Sequence, residues 1–144
     1  MYTSSTPFSS PFARSAAAAY AEIRVKGSQA ADSSGHSLVE MLFESALTAI
    51  ARAEAAMQAG DIGAKGEAIG RAVAIVSEGL RGSLNLDKGG KLAADLDALY
   101  AYIETRLTLG NLRNDALALQ ESARLLKPLR EAWSAIAPQV RAAD

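Results

Sequence analysis

Between Leu38 and Ile136 the apolar residues recur every three or four positions, in four runs separated by breaks containing glycine or asparagine. That spacing places them along one side of an α-helix and on alternating sides of a strand, so it predicts helices and leaves little room for a sheet. The first run is Leu38, Leu42, Ala46, Ala49 and Ala53, with an adjacent row of Val39, Phe43, Leu47 and Ile50. Two adjacent rows make a face wider than one antiparallel neighbour needs. The second run is Ile69, Val73, Val76, Leu80 and Leu84, beside a row of small residues, Ala68, Ala72, Gly79 and Gly82, interrupted only by Ile75. The third is Leu92, Leu96, Leu99, Ile103 and Leu107, flanked by Tyr100 and Tyr102. The fourth is Leu112, Ala116, Leu119, Ala123, Leu126, Trp133 and Ile136.

The breaks carry end signals. Ser37 and Glu40 have the spacing of a capping box, with Ser34 as a competing cap; Gly60 suits a helix C′ position and Asp61 can cap the next helix at once. Residues 85–90, with Gly89 and Gly90, form a turn. Gly110 and Asn111 interrupt the third run, and Asn111 or Asn114 can cap the fourth. Pro128 predicts a kink or break, because it lacks an N–H and clashes with the preceding turn. Short connections make antiparallel neighbours, so the expected fold is all-α, an up-down-up-down four-helix bundle. Alanine occurs 31 times against 32 for Leu, Ile, Val and Phe together, a composition that favours helix over sheet. The 144 residues fit one domain. It is expected over residues 15–137, opening with a short helix over Ser15–Val25, a loop over residues 29–35, a mobile arm over residues 1–14 and a tail over residues 138–144.

Several function classes fall away. There is no cysteine, which excludes disulfides, thiolate catalysis and cysteine-bound zinc. His36 is the single histidine, too few for a carboxylate–histidine metal centre in a bundle, and it reads as a solvated neighbour of the first helix cap. A formal net charge of −1 gives no basic field for nucleic acid. No run is long and apolar enough to span a membrane, and no secretory leader is evident, so the expected compartment is the cytoplasm. Gly63-Ala64-Lys65-Gly66 lacks the strand and the Ser or Thr of a phosphate loop. Asp87, Asp95, Asp97, Glu104, Asp115 and Glu121 are scattered carboxylates of the kind that face solvent. With no catalytic residues, metal or cofactor predicted, function is expected to reside in surfaces.

Beyond this, the chain resembles the FliS family of flagellin export chaperones. Residues 38–47, LVEMLFESAL, look like the family's L-[VI]-x-M-L-[YF]-[DE]-G-A-[LI] stretch. Gly60-Asp61-Ile62 with residues 65–69, KGEAI, is similar to its second-helix start. Leu84-Asn85 with Gly89-Gly90-Lys91-Leu92-Ala93 is similar to its L-D…G-G-E-L-A turn, and residues 96–102, LDALYAY, to its L-x-x-L-Y-x-Y run. Residues 111–115, NLRND, and 129–133, LREAW, resemble its ending. The likeness spans roughly Tyr20 to Ile136. Two departures stand out: Gly35 sits where the family usually has proline, and Ser45 where it has glycine.

The resemblance implies a cytoplasmic, non-enzymatic chaperone. It would hold the disordered C-terminal segment of flagellin, keep flagellin from polymerising, and help deliver it to export-gate components of the flagellar type III apparatus. An amphipathic segment that becomes helical on binding would lay apolar anchors into grooves of the bundle. Phe43, Leu47, Ile50, Ala72, Ile75, Tyr100 and Tyr102 are the candidate docking residues; each also suits an ordinary core position. The aromatics of the leader, Phe8 and Phe12, with Tyr20, are candidates to cover the groove until the client displaces them, or are simply rings in a solvated leader. The chain is expected as a monomer or weak homodimer. The competing reading is a self-associating structural or adaptor bundle without a flagellin client.

Overall fold

A computed structural model describes residues 19–20, 24–25, 28–29 and 33–136. The arm over residues 1–14, the tail over residues 138–144, Phe8 and Phe12 lie outside the described residues. Ala19 is helical, but Arg24–Val25 pairs antiparallel with Ser28–Gln29 as a minimal hairpin, β1 and β2. The expected short helix therefore does not run to Val25, and Gln29 is paired where a loop was expected.

Helix α1 (Ser33–Ala59) begins four residues before Ser37, so Ser37 lies within the helix and does not cap it. The expected Ser37–Glu40 capping box gives way to a tertiary bond: Glu40 Oε2 accepts from the Ser134 hydroxyl at 2.5 Å. Its end matches the sequence reading. Gly60 lies at φ +72°, a conformation open to glycine without a Cβ penalty, and the N–H groups of Gly60 and Asp61 close back on Met57 and Ala56. Asp61 then caps α2 (Ile62–Ala74) by accepting from Ala64 N at 3.0 Å.

Beyond Ala74, α2 widens into a π-helical stretch, Ile75–Arg81, that the +3/+4 spacing does not reveal. Gly79 sits here against α1, where a Cβ would meet Leu42 Cδ2 at 2.9 Å. The wide turn delivers Arg81 to the third helix, where its Nε donates to Asp97 at 2.8 Å and its Nη1 to Glu104 at 3.4 Å.

Helix α3 (Gly90–Arg113) runs through Gly110 and Asn111 without the expected interruption. Gly110 is buried because the start of the next helix closes on it; a Cβ there would stand 3.1 Å from Leu119. Asn114, at φ 54° and ψ 47°, ends α3 in the left-handed region, and Asp115 caps α4 (Ala116–Ala135) by accepting from Leu117 N at 3.0 Å. Leu112, expected to begin the fourth stripe, is instead in the last turn of α3 and 78% exposed. Of the kink or break expected at Pro128, the break is absent; α4 is continuous across it. Arg124, whose carbonyl loses its helical donor to Pro128, is exposed, as is Pro128, so water can take the place of the missing N–H.

The four helices form an antiparallel ring in which α1 packs on α2 and α4, and α3 on α2 and α4, leaving α1 and α3 diagonal. The fold is the expected all-α four-helix bundle. Val39, Ile50, Ile69, Leu80, Ile103, Leu107, Leu119, Leu126 and Trp133 fill its centre. Alanines at 46, 49, 53, 72, 93 and 118 are fully or almost fully buried and let the helix axes approach.

Candidate partner-binding surfaces

The predicted docking residues separate by burial. Phe43, Ile50, Ala72 and Tyr100 are at most 2% exposed and form part of the core. Leu47 and Ile75 are half-buried at the edge of that core, and Tyr102 is 44% exposed. Tyr102 lies on the α3–α4 side, where its hydroxyl donates to Glu121 at 2.6 Å; Arg106 Nε donates to the other carboxylate oxygen at 2.7 Å. These two donors hold the Glu121 carboxyl below its usual range, the Tyr102 bond contributing most. Leu47 on α1 and Tyr102 on α3 thus belong to diagonal helices.

Tyr20 is buried. Its hydroxyl meets that of Tyr100 at 2.5 Å, and its ring stands edge-on to Trp133 with centroids 5.4 Å apart. Burial pushes both phenols well above the ordinary tyrosine range, because an ionised phenolate there would lose its hydration. The segment is also tied by its backbone, since Asn85 N donates to Ala19 O at 2.7 Å. Trp133 stacks at 4.6 Å on His36, which is buried rather than the solvated cap neighbour expected. The two residues exchange bonds. His36 Nε2 donates to Trp133 O at 2.7 Å and Trp133 Nε1 donates to His36 O at 2.9 Å. A carbonyl only accepts, so the His36 proton sits on Nε2. The pair latches the start of α1 to the end of α4.

Lys65 is a further buried polar residue. Its Nζ donates to Asn111 O and to Asn114 Oδ1 at 3.1 and 3.0 Å, placing a cation at the C-terminal end of α3, where the helix dipole favours it. A cleft of about 380 Å³ opens beside it, bordered by Met57, Gly60 and Ile62. A shallower groove of about 260 Å³ follows the α1–α2 seam between Met41, Ser45 and Arg71. Met41, more than half exposed, was not singled out from the sequence, because it falls off both apolar rows of α1. Ile62, Leu112 and Leu117 are also strongly exposed, and all three stand at the end of the bundle where α2 and α4 begin and α3 finishes.

Among the described residues no three carboxylates or histidines gather as a metal site, and no helix is long and apolar enough to cross a membrane. The polar groups that do converge, such as the Tyr102–Glu121–Arg106 set, satisfy one another.

Residues 16–140 match the family model described as flagellar protein FliS. A flagellar secretion chaperone FliS of Salmonella typhimurium is 44% identical over 121 residues, covering 84% of this chain and 89% of the relative. That of Vibrio cholerae is 35% identical, covering 84% and 88%. A flagellar secretion chaperone FliSB of Pseudomonas aeruginosa is 35% identical, covering 87% and 98%. The names of these relatives denote a non-enzymatic role. The match runs through all four helices and their turns, and the chain belongs to the FliS family of flagellar proteins.

Proposed function

We propose that this protein is a cytoplasmic, non-enzymatic export chaperone that binds the disordered C-terminal segment of flagellin. Binding prevents premature polymerisation and assists delivery to export-gate components of the flagellar type III apparatus. The observation that carries this reading is the continuous family match over residues 16–140, with relatives named for flagellar secretion. The bundle supplies a mechanism. Client docking falls to the residues that keep exposure, Leu47, Ile75 and Tyr102, while Phe43, Ile50, Ala72 and Tyr100 support them from within. Because Leu47 and Tyr102 stand on diagonal helices, one client reaches both only by wrapping around the bundle. A disordered segment can do this, recovering its ordering cost over a long contact. Phe8 and Phe12 of the leader, with Tyr20, which packs against Tyr100 and Trp133, would cover the groove until the client displaces them.

The test is binding of purified full-length chain to flagellin from the same organism and to flagellin lacking its C-terminal segment, together with seeded filament growth. Intact flagellin should bind and stop elongating, and the truncated form should not bind. Binding that survives the truncation, or no binding at all, would sink the proposal.

A further inference from the structure

One side of the bundle carries positive charge that is only loosely held: Arg130 has Glu44 at 3.7 Å, and Arg124 acts on Glu121 without a bond to it. Arg124, Lys127 and Arg130 stand three residues apart on α4 and form one ridge of that helix. Arg124 and Lys127 are exposed, and among the described residues neither makes a hydrogen bond or an ion pair. Arg130 leans toward α1, where its Nη1 approaches Glu44 only to 3.7 Å, too far for a hydrogen bond. Its Nε is buried and has no acceptor at all. A buried donor left unmade costs free energy, and a guanidinium is built to engage a carboxylate through two parallel bonds. The carboxylates close to this ridge do not fill the need. Glu121 is taken by Tyr102 and Arg106, Glu131 makes no ion pair among the described residues, and Glu44 is more than half exposed.

The ridge borders an apolar edge. The contacts Glu40–Ser134 and Glu44–Arg130 set the antiparallel register of α1 and α4, and that register carries the half-buried Leu47 to the level of Lys127. A half-buried leucine edged by one cation without an ion pair, Lys127, and one held only loosely, Arg130, fits an amphipathic helix with carboxylates beside its apolar face. We infer that the α1–α4 seam is a docking site for an acidic-edged helix of the client's C-terminal segment, with Arg130 and Lys127 pairing client carboxylates. In the free protein Glu44 holds Arg130 loosely in reserve. This inference rests on the client reading above and adds which face reads the client's charge.

The experiment uses calorimetric titration of the full-length chain with a synthetic peptide of the same organism's flagellin C-terminal segment. A second peptide has its Asp and Glu changed to Asn and Gln. Arg130→Gln should weaken binding of the native peptide on the order of tenfold, the scale of one lost charge-assisted bond. Lys127→Gln, at an exposed position that leaves the fold intact, should weaken it severalfold and flatten its salt dependence. Glu44→Gln removes the competing carboxylate and should tighten it. All three effects should vanish with the neutralised peptide. Native-peptide affinity unchanged in both Arg130→Gln and Lys127→Gln overturns this inference and leaves the chaperone reading standing. Absence of binding by the unaltered chain overturns both.

Discussion

The buried hydroxyl pair of Tyr20 and Tyr100 shows what a single polar atom costs or contributes in this bundle. Each phenol hydroxyl is bonded to the other, and both side chains are buried. Replacing one by phenylalanine leaves a buried hydroxyl without a partner, a loss of about 1–3 kcal/mol. Replacing both removes the need and should cost less than either single change, which urea unfolding of the three variants will check. The pair also predicts a loss of stability at alkaline pH. Burial raises both phenol pKa values above their unfolded values, so the stabilisation is complete below the unfolded value near 10 and is lost as pH rises beyond it. The double phenylalanine variant should therefore unfold at higher pH than the parent in a titration followed by circular dichroism.

At the scale of elements, the junction between α3 and α4 depends on one residue in an unusual conformation. Asn114 adopts the left-handed region and accepts from Lys65, so it ends one helix and anchors a second. A β-branched residue tolerates that conformation poorly; Asn114→Val should lose about 2 kcal/mol, while Asn114→Gly should lose only the Lys65 bond. Thermal unfolding separates the two. The glycines of α2 divide by what surrounds them. Gly79 faces Leu42, whereas nothing lies within 4 Å of the place a Cβ would take at Gly66 or Gly70. Gly70 is exposed in the helix interior, so Gly70→Ala should raise stability by about 1 kcal/mol, seen as a melting temperature some 3 °C higher. In the row of small residues read from the sequence Gly79 is thus a helix contact, while Gly70, off that row, is open surface, a distinction that spacing does not contain.

Considered whole, the bundle is a closed ring of four helices with its apolar interior filled, and its remaining apolar exposure is distributed around and below it. A client that wraps contacts diagonal helices independently. Leu47→Asp and Tyr102→Ala should each weaken flagellin binding, by about 1–2 kcal/mol, and their effects should add in the double variant, since distant sites without shared partners are additive. A single compact docking site would instead give strong coupling. Removing residues 1–14 should tighten flagellin binding if the leader competes for the same surface; unchanged or weaker binding in a titration counts against that role.

The amino-acid sequence by itself determined the four helices, the antiparallel order and two of the ends. Apolar periodicity, Gly60 and Asp61 act within a turn or two of the chain, and such local physics is readable residue by residue. The family resemblance was equally legible, because it resides in the order of short motifs. Tertiary structure decided the rest. The capping box at Ser37 yielded to a bond with Ser134, 94 residues away in sequence. The break at Gly110 closed because α4 packs on that glycine, and the π-helical stretch arose where α2 must meet both Leu42 and the carboxylates of α3. Phe43 and Leu47 occupy one apolar row in the sequence, yet one is core and the other edge, since a stripe does not say how deep each neighbour will sit. Burial is a property of what packs against a residue from far along the chain, and only the assembled fold brings those partners together.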